Sequence, residues 1–267
     1  MSQASIAFIA RATRFSPGSV DKDEAILSAV RQRLADSGFS CSEIVSEDQL
    51  TSVVEADAYV SMGRRQETLD WLDLQERSGR VVVNTPSSVL LCNKRAMLMR
   101  LLEENGIAVP PLHGTNGYWV KRGDGCRETP EDVQYSDNWE GACRLRDGML
   151  SRGIADVDVR AHVLGRWLKF YGVRHTGFFY SYSPANKEDG ISDKQSLQRH
   201  AERAARLAGL DVYGGDWIVQ ADGTPVLIDL NDWPSFSPCR KKASEAIAQR
   251  IIDRLEGCII KDAKKDV

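Results

Sequence analysis

One segment of this 267-residue sequence limits its fold more than any other: GGDWIVQADGTPVLIDLNDWP, from Gly214 to Pro234. Asp222-Gly223 is a two-residue hairpin signal between two apolar-rich runs, and such a turn sets the register of the strands it joins. With Ala221 paired to Thr224, counting outward places Asp216 directly opposite Asp229. Opposed residues on one face of an antiparallel pair hold their Cβ atoms about 5 Å apart, so the two carboxylates converge. Alternation along PVLIDLN sends Val226, Ile228 and Leu230 to one face and Leu227, Asp229 and Asn231 to the other. Like charges held that close are resolved by a shared proton or a cation. Carboxylate and amide oxygens are hard donors, and Mg²⁺ at a nucleotide is commonly held by one or two carboxylates together with phosphates. The flanking Trp217, Ile218, Leu227 and Ile228 argue for a hairpin inside the fold rather than one whose acidic side faces water.

The remaining chain is long enough to enclose such a hairpin, as one large domain or as two or three lobes around a cleft. Hydrophobic residues make up 42% and charged residues 27%, the composition of an ordinary globular protein. A formal net charge of -3 lacks the Lys and Arg excess that phosphate-backbone binding requires, so small ligands are expected and no nucleic-acid partner. Cys41, Cys92, Cys126, Cys143, Cys239 and Cys258 are scattered, without the spacing of a zinc knuckle or a redox pair. The apolar N-terminal run ends at Arg11, too short for a signal peptide, and no stretch approaches membrane-spanning length. A cytoplasmic protein with reduced thiols and no membrane partner is expected.

Periodicity divides the chain. Ser5 to Ala10 reads as a strand, and Asp23 to Ser37 as a helix with Ile26, Leu27, Val30 and Leu34 apolar and Gly38 as its stop. Strands near Ser42 to Val45 and at Ala58 to Ser61, a helix from Glu67 to Arg77 and the strand VVVN follow. Strands alternating with helices indicate a small parallel sheet. Thr85, Pro86, Ser87 and Ser88 break the pattern and mark a lobe boundary. Lys94 to Asn105 reads as a helix and Tyr118 to Arg122 as a strand, whereas Gly123 to Gly153 shows little regular structure. VDVRAHV and WLKFYGV read as a hairpin turning at Gly165-Arg166, followed by a helix from Ser196 to Ala208, the acidic hairpin and a helix from Ala243 to Leu255.

Taken in order, NTPSSVLLCNKRAMLMRLLEENGIAVPP, WVKRG, DVDVRAHVLG running on to Arg174, and the acidic hairpin resemble the ATP-grasp superfamily across Val82 to Leu255. The likeness is to carboxylate-amine ligases of the ribosomal-protein-glutamate ligase and glutathione-synthetase type. NDWPSFSP, after the hairpin, adds some likeness to the inositol polyphosphate kinase branch. The resemblance implies an α/β (α+β) fold: an N-terminal Rossmann-like lobe over 1–85, a small lobe over 86–153 and a C-terminal lobe over 154–267, the last two clasping the nucleotide. It implies ATP and Mg²⁺, one or two ions with Mn²⁺ able to stand in, with Asp216, Asp229 and Asn231 as metal ligands. Lys94 and Lys121 match the two lysines on the phosphates, and Met149, Leu150 and Ser151 fall where the adenine hinge lies. Asp158 and Arg160 match an Asp-x-Arg strand, and Arg174 matches a basic residue near the transferred phosphate. The hairpin register places Lys169, not Arg174, on the face of Asp158 and Arg160, so Lys169 is a rival phosphate ligand. The loop after Lys121 is short and acidic where the family carries a longer glycine-rich lid.

Phosphoryl transfer needs positioning and charge neutralisation more than a protein nucleophile. The resemblance therefore implies activation of a small carboxylate as an acylphosphate and its joining to an amine, with ADP and phosphate released. A kinase acting on a polyol, and a nucleotide-binding module without catalysis, are alternatives. No Walker-type Gly-Lys-Ser/Thr, dinucleotide fingerprint, H-E-x-x-H or G-x-S-x-G is present. Arg11, Arg14 and Arg64 follow strand ends in the first lobe, where open parallel sheets place ligands, and are candidate contacts for an anionic acceptor. Trp233 stands beside the metal face as a candidate acceptor wall. A homodimer is left open, since no segment announces an interface.

Overall fold

The computed structural model describes residues 4–16, 18–52, 55–125, 129–185 and 193–263. The first third folds as its alternating pattern directs. Strands β1 (Ser5–Ala10), β2 (Ser40–Ser46), β3 (Ala58–Ser61) and β4 (Val81–Val83) form a parallel sheet in the order β2-β1-β3-β4. Helix α1 (Val20–Asp36) buries Ile26, Leu27, Val30 and Leu34, and α2 (Gln66–Arg77) buries Thr68, Leu69 and Leu72. The expected break at Thr85 is the start of another helix, α3 (Pro86–Cys92). Thr85 caps it by accepting from the Ser88 N–H, and proline suits a first turn, whose N–H groups lack partners in any case.

Helix α4 (Arg95–Glu104) leads to a second, three-stranded sheet of β5 (Tyr118–Arg122), β6 (Val133–Ser136) and, beyond α5 (Trp139–Ser151), β7 (Val157–Ala161), in the order β6-β5-β7. Gly123 to Gly153 is thus more regular than its composition suggests. Asn138 caps α5 by accepting from the Gly141 N–H at 2.9 Å, and the buried Ala142 and Met149 are one face of a helix otherwise full of charge. The third sheet joins β8 (Arg166–Val173), β9 (Phe178–Tyr182), β10 (Val212–Val219) and β11 (Pro225–Asp232) in the antiparallel order β11-β10-β8-β9, with α6 (Lys194–Leu207) before β10 and α7 (Arg240–Ala263) after β11.

Two expectations about this region fail. The runs around Gly165 are not a hairpin, because β7 and β8 belong to different sheets. Gly165 instead crosses close to β10, where an added Cβ would lie 2.4 Å from the Val219 carbonyl oxygen. The boundary drawn at 153/154 would also cut the small sheet, since β7 completes it. Nor do 1–85 and 154–267 have separate cores. Ile26, Val30 and Leu34 of α1 share one apolar cluster with Ile247 and Ile251 of α7 and with Trp233 and Phe236. A second cluster packs Leu98 and Leu102 of α4 and Ala201 of α6 on Phe170, Trp217 and Leu230. Among the described residues, no helix is long and apolar enough to cross a membrane.

Asp211, wholly buried, ties these elements behind the third sheet. Its carboxylate accepts from Arg174 at 2.8 Å and from Arg250 at 2.8 Å, and also pairs with Arg254. Burial opposes its ionisation, but Arg254, Arg174 and Arg250 outweigh burial and hold its pKa below the ordinary carboxylate value. A depressed folded-state pKa stabilises the protein above the unfolded value of roughly 4, and that gain is lost as pH falls through the folded value. Asp211→Asn, which leaves three guanidinium groups without their counter-charge, is expected to cost about 3 kcal/mol. Urea unfolding at pH 7 and pH 3 checks this, and the gap between variant and wild type should narrow at the lower pH.

Candidate functional site

A row of charge crosses the third sheet. Lys169 on β8 lies opposite Asp216 on β10, and Asp216 lies opposite Asp229 on β11. The two aspartates meet as counted, but not through a two-residue turn. Val219 pairs with Pro225 and the Gln220 N–H donates to Thr224 O at 3.0 Å, so the loop has three residues and closes on Gly223 at φ 86°. A bulge between Asp216 and Trp217, with Ile228 as the extra residue on β11, then restores the pairing. The bulge overturns the expected alternation: Leu227 and Leu230 both enter the core, and Ile228 turns into the cleft. Gly215 before Asp216 is required by close approach, because a Cβ there would sit 2.1 Å from Asp229 O.

Each carboxylate is braced by donors from a different element. Asp216 accepts from Trp167 Nε1 at 2.7 Å and Lys169 Nζ at 2.9 Å. Asp229 accepts from Arg95 Nη2 at 2.7 Å and from the Asn231 amide at 2.9 Å. Burial pushes the Asp216 carboxyl up, the Asp229 charge adds to this, and Lys169 opposes it. Burial works on Asp229 in the same sense, yet Arg95, Lys121 and Asn231 prevail and hold it well below the usual carboxylate range. Lys121 on β5 reaches toward Ile228 O at 3.5 Å, and burial together with the neighbouring Arg95 lowers its pKa.

The paired aspartates stand between two cavities, Asp216 lining one and Asp229 the other. One, of about 720 Å³, lies between the small sheet and the third sheet. Trp119, Trp167, Ile218, Ile228 and the strand-to-strand segment from Ala161 to Gly165 wall it, with Lys121, Asp158 and Asp216 also facing it. The other, of about 430 Å³, is polar and is lined by Arg11, Arg64, Arg95, Asp229, Asn231 and Trp233. Lys121 borders both. A smaller cavity of about 170 Å³ lies over Lys169, Asp216 and Asn231.

The first lobe fixes its side of the polar cavity through one buried carboxylate. Glu47 accepts from the Ala12, Arg64 and Arg65 N–H groups at 2.7, 2.8 and 2.8 Å, clamping the loops that follow β1 and β3. Arg11 then donates to Trp233 O at 2.6 Å and pairs with Asp23 at 3.3 Å, while Arg64 pairs with Asp232. Trp233 is buried at φ 40°, a left-handed conformation that a bulky residue keeps only when its surroundings impose it.

The structure brings Lys121, Asp158, Arg160, Lys169, Asp216, Asp229 and Asn231 to one cleft and leaves the other expected residues outside it. Arg160 is directed to Asp158 at 3.2 Å and Pro110 O at 2.9 Å. Arg174 lies behind the sheet on Asp211, the salt bridge of a buried carboxylate having captured it. Met149, Leu150 and Ser151 are the last residues of α5, with Met149 packed against Tyr118 and Val120, so they form no hinge. Lys94 is exposed and lines a separate cavity, and Arg95 takes the inner position. Arg95, Glu47, Trp119 and Trp167 were not singled out from sequence as site residues. Trp119 was within reach, because two-residue spacing from Lys121 places both on one face of β5.

No family model and no curated protein matches the chain. Solved structures do. A RimK domain ATP-grasp protein from Sphaerobacter thermophilus is 18% identical over 93% of this chain and 100% of its own, with a TM-score of 0.69. The D-alanine-D-alanine ligase of Coxiella burnetii is 13% identical over 99% and 97%, with a TM-score of 0.71. The D-alanine–D-alanine ligase of Bacillus anthracis complexed with ATP is 12% identical over 99% and 100%, with a TM-score of 0.66. The chain has the ATP-grasp fold.

The donor set of Asp216, Asp229 and Asn231 would suit Mg²⁺ accompanied by phosphates. Two carboxylates and an amide converge beside a small polar cavity, and hard oxygen donors of this number are what Mg²⁺ takes when phosphates complete its shell. Trp119 and Trp167 at the mouth of the larger cavity supply a reporter. Adding MgATP is expected to quench tryptophan emission, and Trp119→Leu to remove a large part of the signal while raising the nucleotide Kd about tenfold, the loss of roughly 1–2 kcal/mol of aromatic stacking. A fluorescence titration of both proteins checks it.

Proposed function

We propose that this chain is an MgATP-dependent ligase that activates a small-molecule carboxylate as an acylphosphate and joins it to an amine, releasing ADP and phosphate. One observation carries the reading: the paired Asp216 and Asp229 face, respectively, an apolar slot and an arginine-lined polar cavity, with Lys121 bordering both. An apolar slot with a few charged groups at one end suits a nucleoside with its phosphates, and the polar cavity suits the acceptor. The solved structures of similar fold include D-alanine-D-alanine ligases, one of them complexed with ATP, which supports the reading of an ATP-dependent ligase.

Asp216, Asp229 and Asn231 would hold Mg²⁺, which when bound neutralises and aligns the phosphates. Lys121, bordering both cavities, is placed to neutralise charge at the transferred phosphoryl group, and Lys169 and Arg95 flank it. Asp158 lies opposite Lys121 across β5 and β7, where its charge favours the ammonium, and Arg160 donates to Asp158 at 3.2 Å. An acceptor carboxylate oxygen attacks the γ-phosphorus as its bond to the bridging oxygen breaks, and ADP leaves with the electron pair. The amine nitrogen then adds to the acyl carbon. Phosphate departs with the carbon–oxygen electron pair, and the amine proton passes to solvent.

Phosphorus NMR of the protein with MgATP and pooled amino acids, small carboxylates, amines and polyols tests this reading. Free phosphate with ADP, dependent on the carboxylate and amine pool, is expected. A new phosphoester signal would replace the ligase by a kinase of the same fold. Asp229→Ala should lower turnover by roughly 10²-fold or more. Lys121→Ala should weaken nucleotide binding about tenfold, the value of a hydrogen bond to a charged group. Full activity in Asp229→Ala would refute the metal assignment.

A further inference from the structure

The position of Trp167 follows from strand alternation. On β8, Leu168 and Phe170 enter the core, which turns Trp167 and Lys169 to the cleft face beside Asp216. The tryptophan is 44% exposed, so core packing does not account for it. Its N–H is nevertheless committed, donating to Asp216 Oδ1 at 2.7 Å, while the residue lines the apolar slot with Ile218 and Ile228. Lys169 donates to the same oxygen at 2.9 Å and to Oδ2 at 3.2 Å, and its ammonium lies 5.3 Å from the indole centroid. Oδ1 thus carries two donors, and Oδ2 is the oxygen with capacity to spare for a cation. Asp216 borders both the slot and the small cavity of about 170 Å³ that Asn231 also lines. The two donors brace it differently. The Lys169 ammonium compensates its charge and so competes with any cation. An indole N–H is a donor only and carries no charge, so it fixes the carboxylate without opposing a cation.

We propose that Trp167 is a positioning residue that couples the occupant of the apolar slot to the cation held by Asp216. Its ring packs on a nucleoside in the slot, and its N–H sets the rotation of the Asp216 carboxylate, so that Oδ2 stays available to the metal. Hydrogen-bond partners of a metal-ligating group contribute roughly 10- to 100-fold to metal affinity. An occupant that orders the ring therefore orders the ligand, and metal and nucleotide favour each other beyond the bridge that phosphates supply. The nucleoside in the slot rests on the ligase reading; the hold on Asp216 does not.

Two substitutions separate the ring from the donor. Trp167→Phe keeps an aromatic wall and removes the N–H, whereas Trp167→Gln removes the ring and keeps an N–H donor of similar reach. Thermal melting of both verifies the fold. ADP affinity is measured by calorimetry in EDTA and in excess Mg²⁺, and Mn²⁺ affinity without nucleotide by electron paramagnetic resonance. In Trp167→Phe, ADP binding in EDTA should stay within about twofold of wild type, while its tightening by Mg²⁺ falls about tenfold and Mn²⁺ alone binds about tenfold more weakly. In Trp167→Gln the pattern inverts: ADP binding in EDTA weakens about tenfold through lost stacking, and the metal effects stay near wild type. A tryptophan with a structural role alone would lower every affinity alike in both variants, and that result overturns the proposal, as does an unchanged Mg²⁺ effect in Trp167→Phe. A wild type that binds Mn²⁺ but no ADP refutes the nucleotide reading and with it the coupling, and the Mn²⁺ affinity of Trp167→Phe then decides the hold on Asp216. A wild type that binds neither overturns both.

Discussion

The juxtaposition of Asp216 and Asp229 is the constraint around which the rest of the molecule is arranged. Two carboxylates at cross-strand distance, largely withdrawn from water, repel each other and lose hydration, and both effects oppose folding. Offsetting them takes cations from three places: Lys169 from the neighbouring strand, Arg95 from the first turn of α4 and Lys121 from the small sheet. Each of these side chains comes from an element that must dock correctly for the pair to be tolerated. The charged row thus selects the relative placement of the small sheet, α4 and the third sheet, and the cleft between them follows from that placement.

The same two aspartates divide the cleft by polarity. On the β5–β7 side the walls are Trp119, Trp167, Ile218 and Ile228, and on the first-lobe side they are Arg11, Arg64, Asn93 and Asp232. The polar wall depends on parts distant in sequence. Glu47, at the end of β2, fixes the loops that carry Arg11 and Arg64, and these arginines in turn hold the segment after β11 through Trp233 O and Asp232. The packing of α7 on α1 closes the other side of that segment, with Phe236 and Trp233 in the shared core. Motion of the first lobe against the third sheet would have to break these contacts, so the polar side of the cleft is the rigid one.

Much of this was legible in the sequence wherever local chemistry decides structure. The parallel lobe followed from alternation of apolar runs and amphipathic helices, and the convergence of the aspartates from an Asp-Gly turn. That convergence shows the limit of counting, since a three-residue loop and a bulge at Ile228 shift the register twice and the shifts cancel at Asp216. What was not legible depends on partners distant along the chain. Helix α5 is hidden because its buried face is only Ala142 and Met149 amid charge, and the hinge that the resemblance implies at Met149, Leu150 and Ser151 falls on its last turn. The turn at Gly165 looked like a hairpin because two strand-like runs flank a glycine, whereas packing assigns them to separate sheets. Arg174 has the right residue type in the right region, but its guanidinium is held by the buried Asp211, and no sequence spacing predicts that pair.

Lys94 and Arg95 show how little separates a residue in the site from one beside it. Lys94 precedes the helix with φ -109° and ψ 75°, while Arg95 is its first residue. Lys94, outside the helix, lines a different cavity from Arg95. The Arg95 N–H is fixed on Gly123 O at 2.9 Å, which sets the phase of α4 against the small sheet and turns the guanidinium to Asp229. Guanidinium suits that inner place, since it stays charged when desolvated and its planar fork matches a carboxylate. The flexible ammonium of Lys94 is left exposed at the neighbouring cavity. One step along the chain thus gives a cation for the acidic pair and another for a neighbouring space.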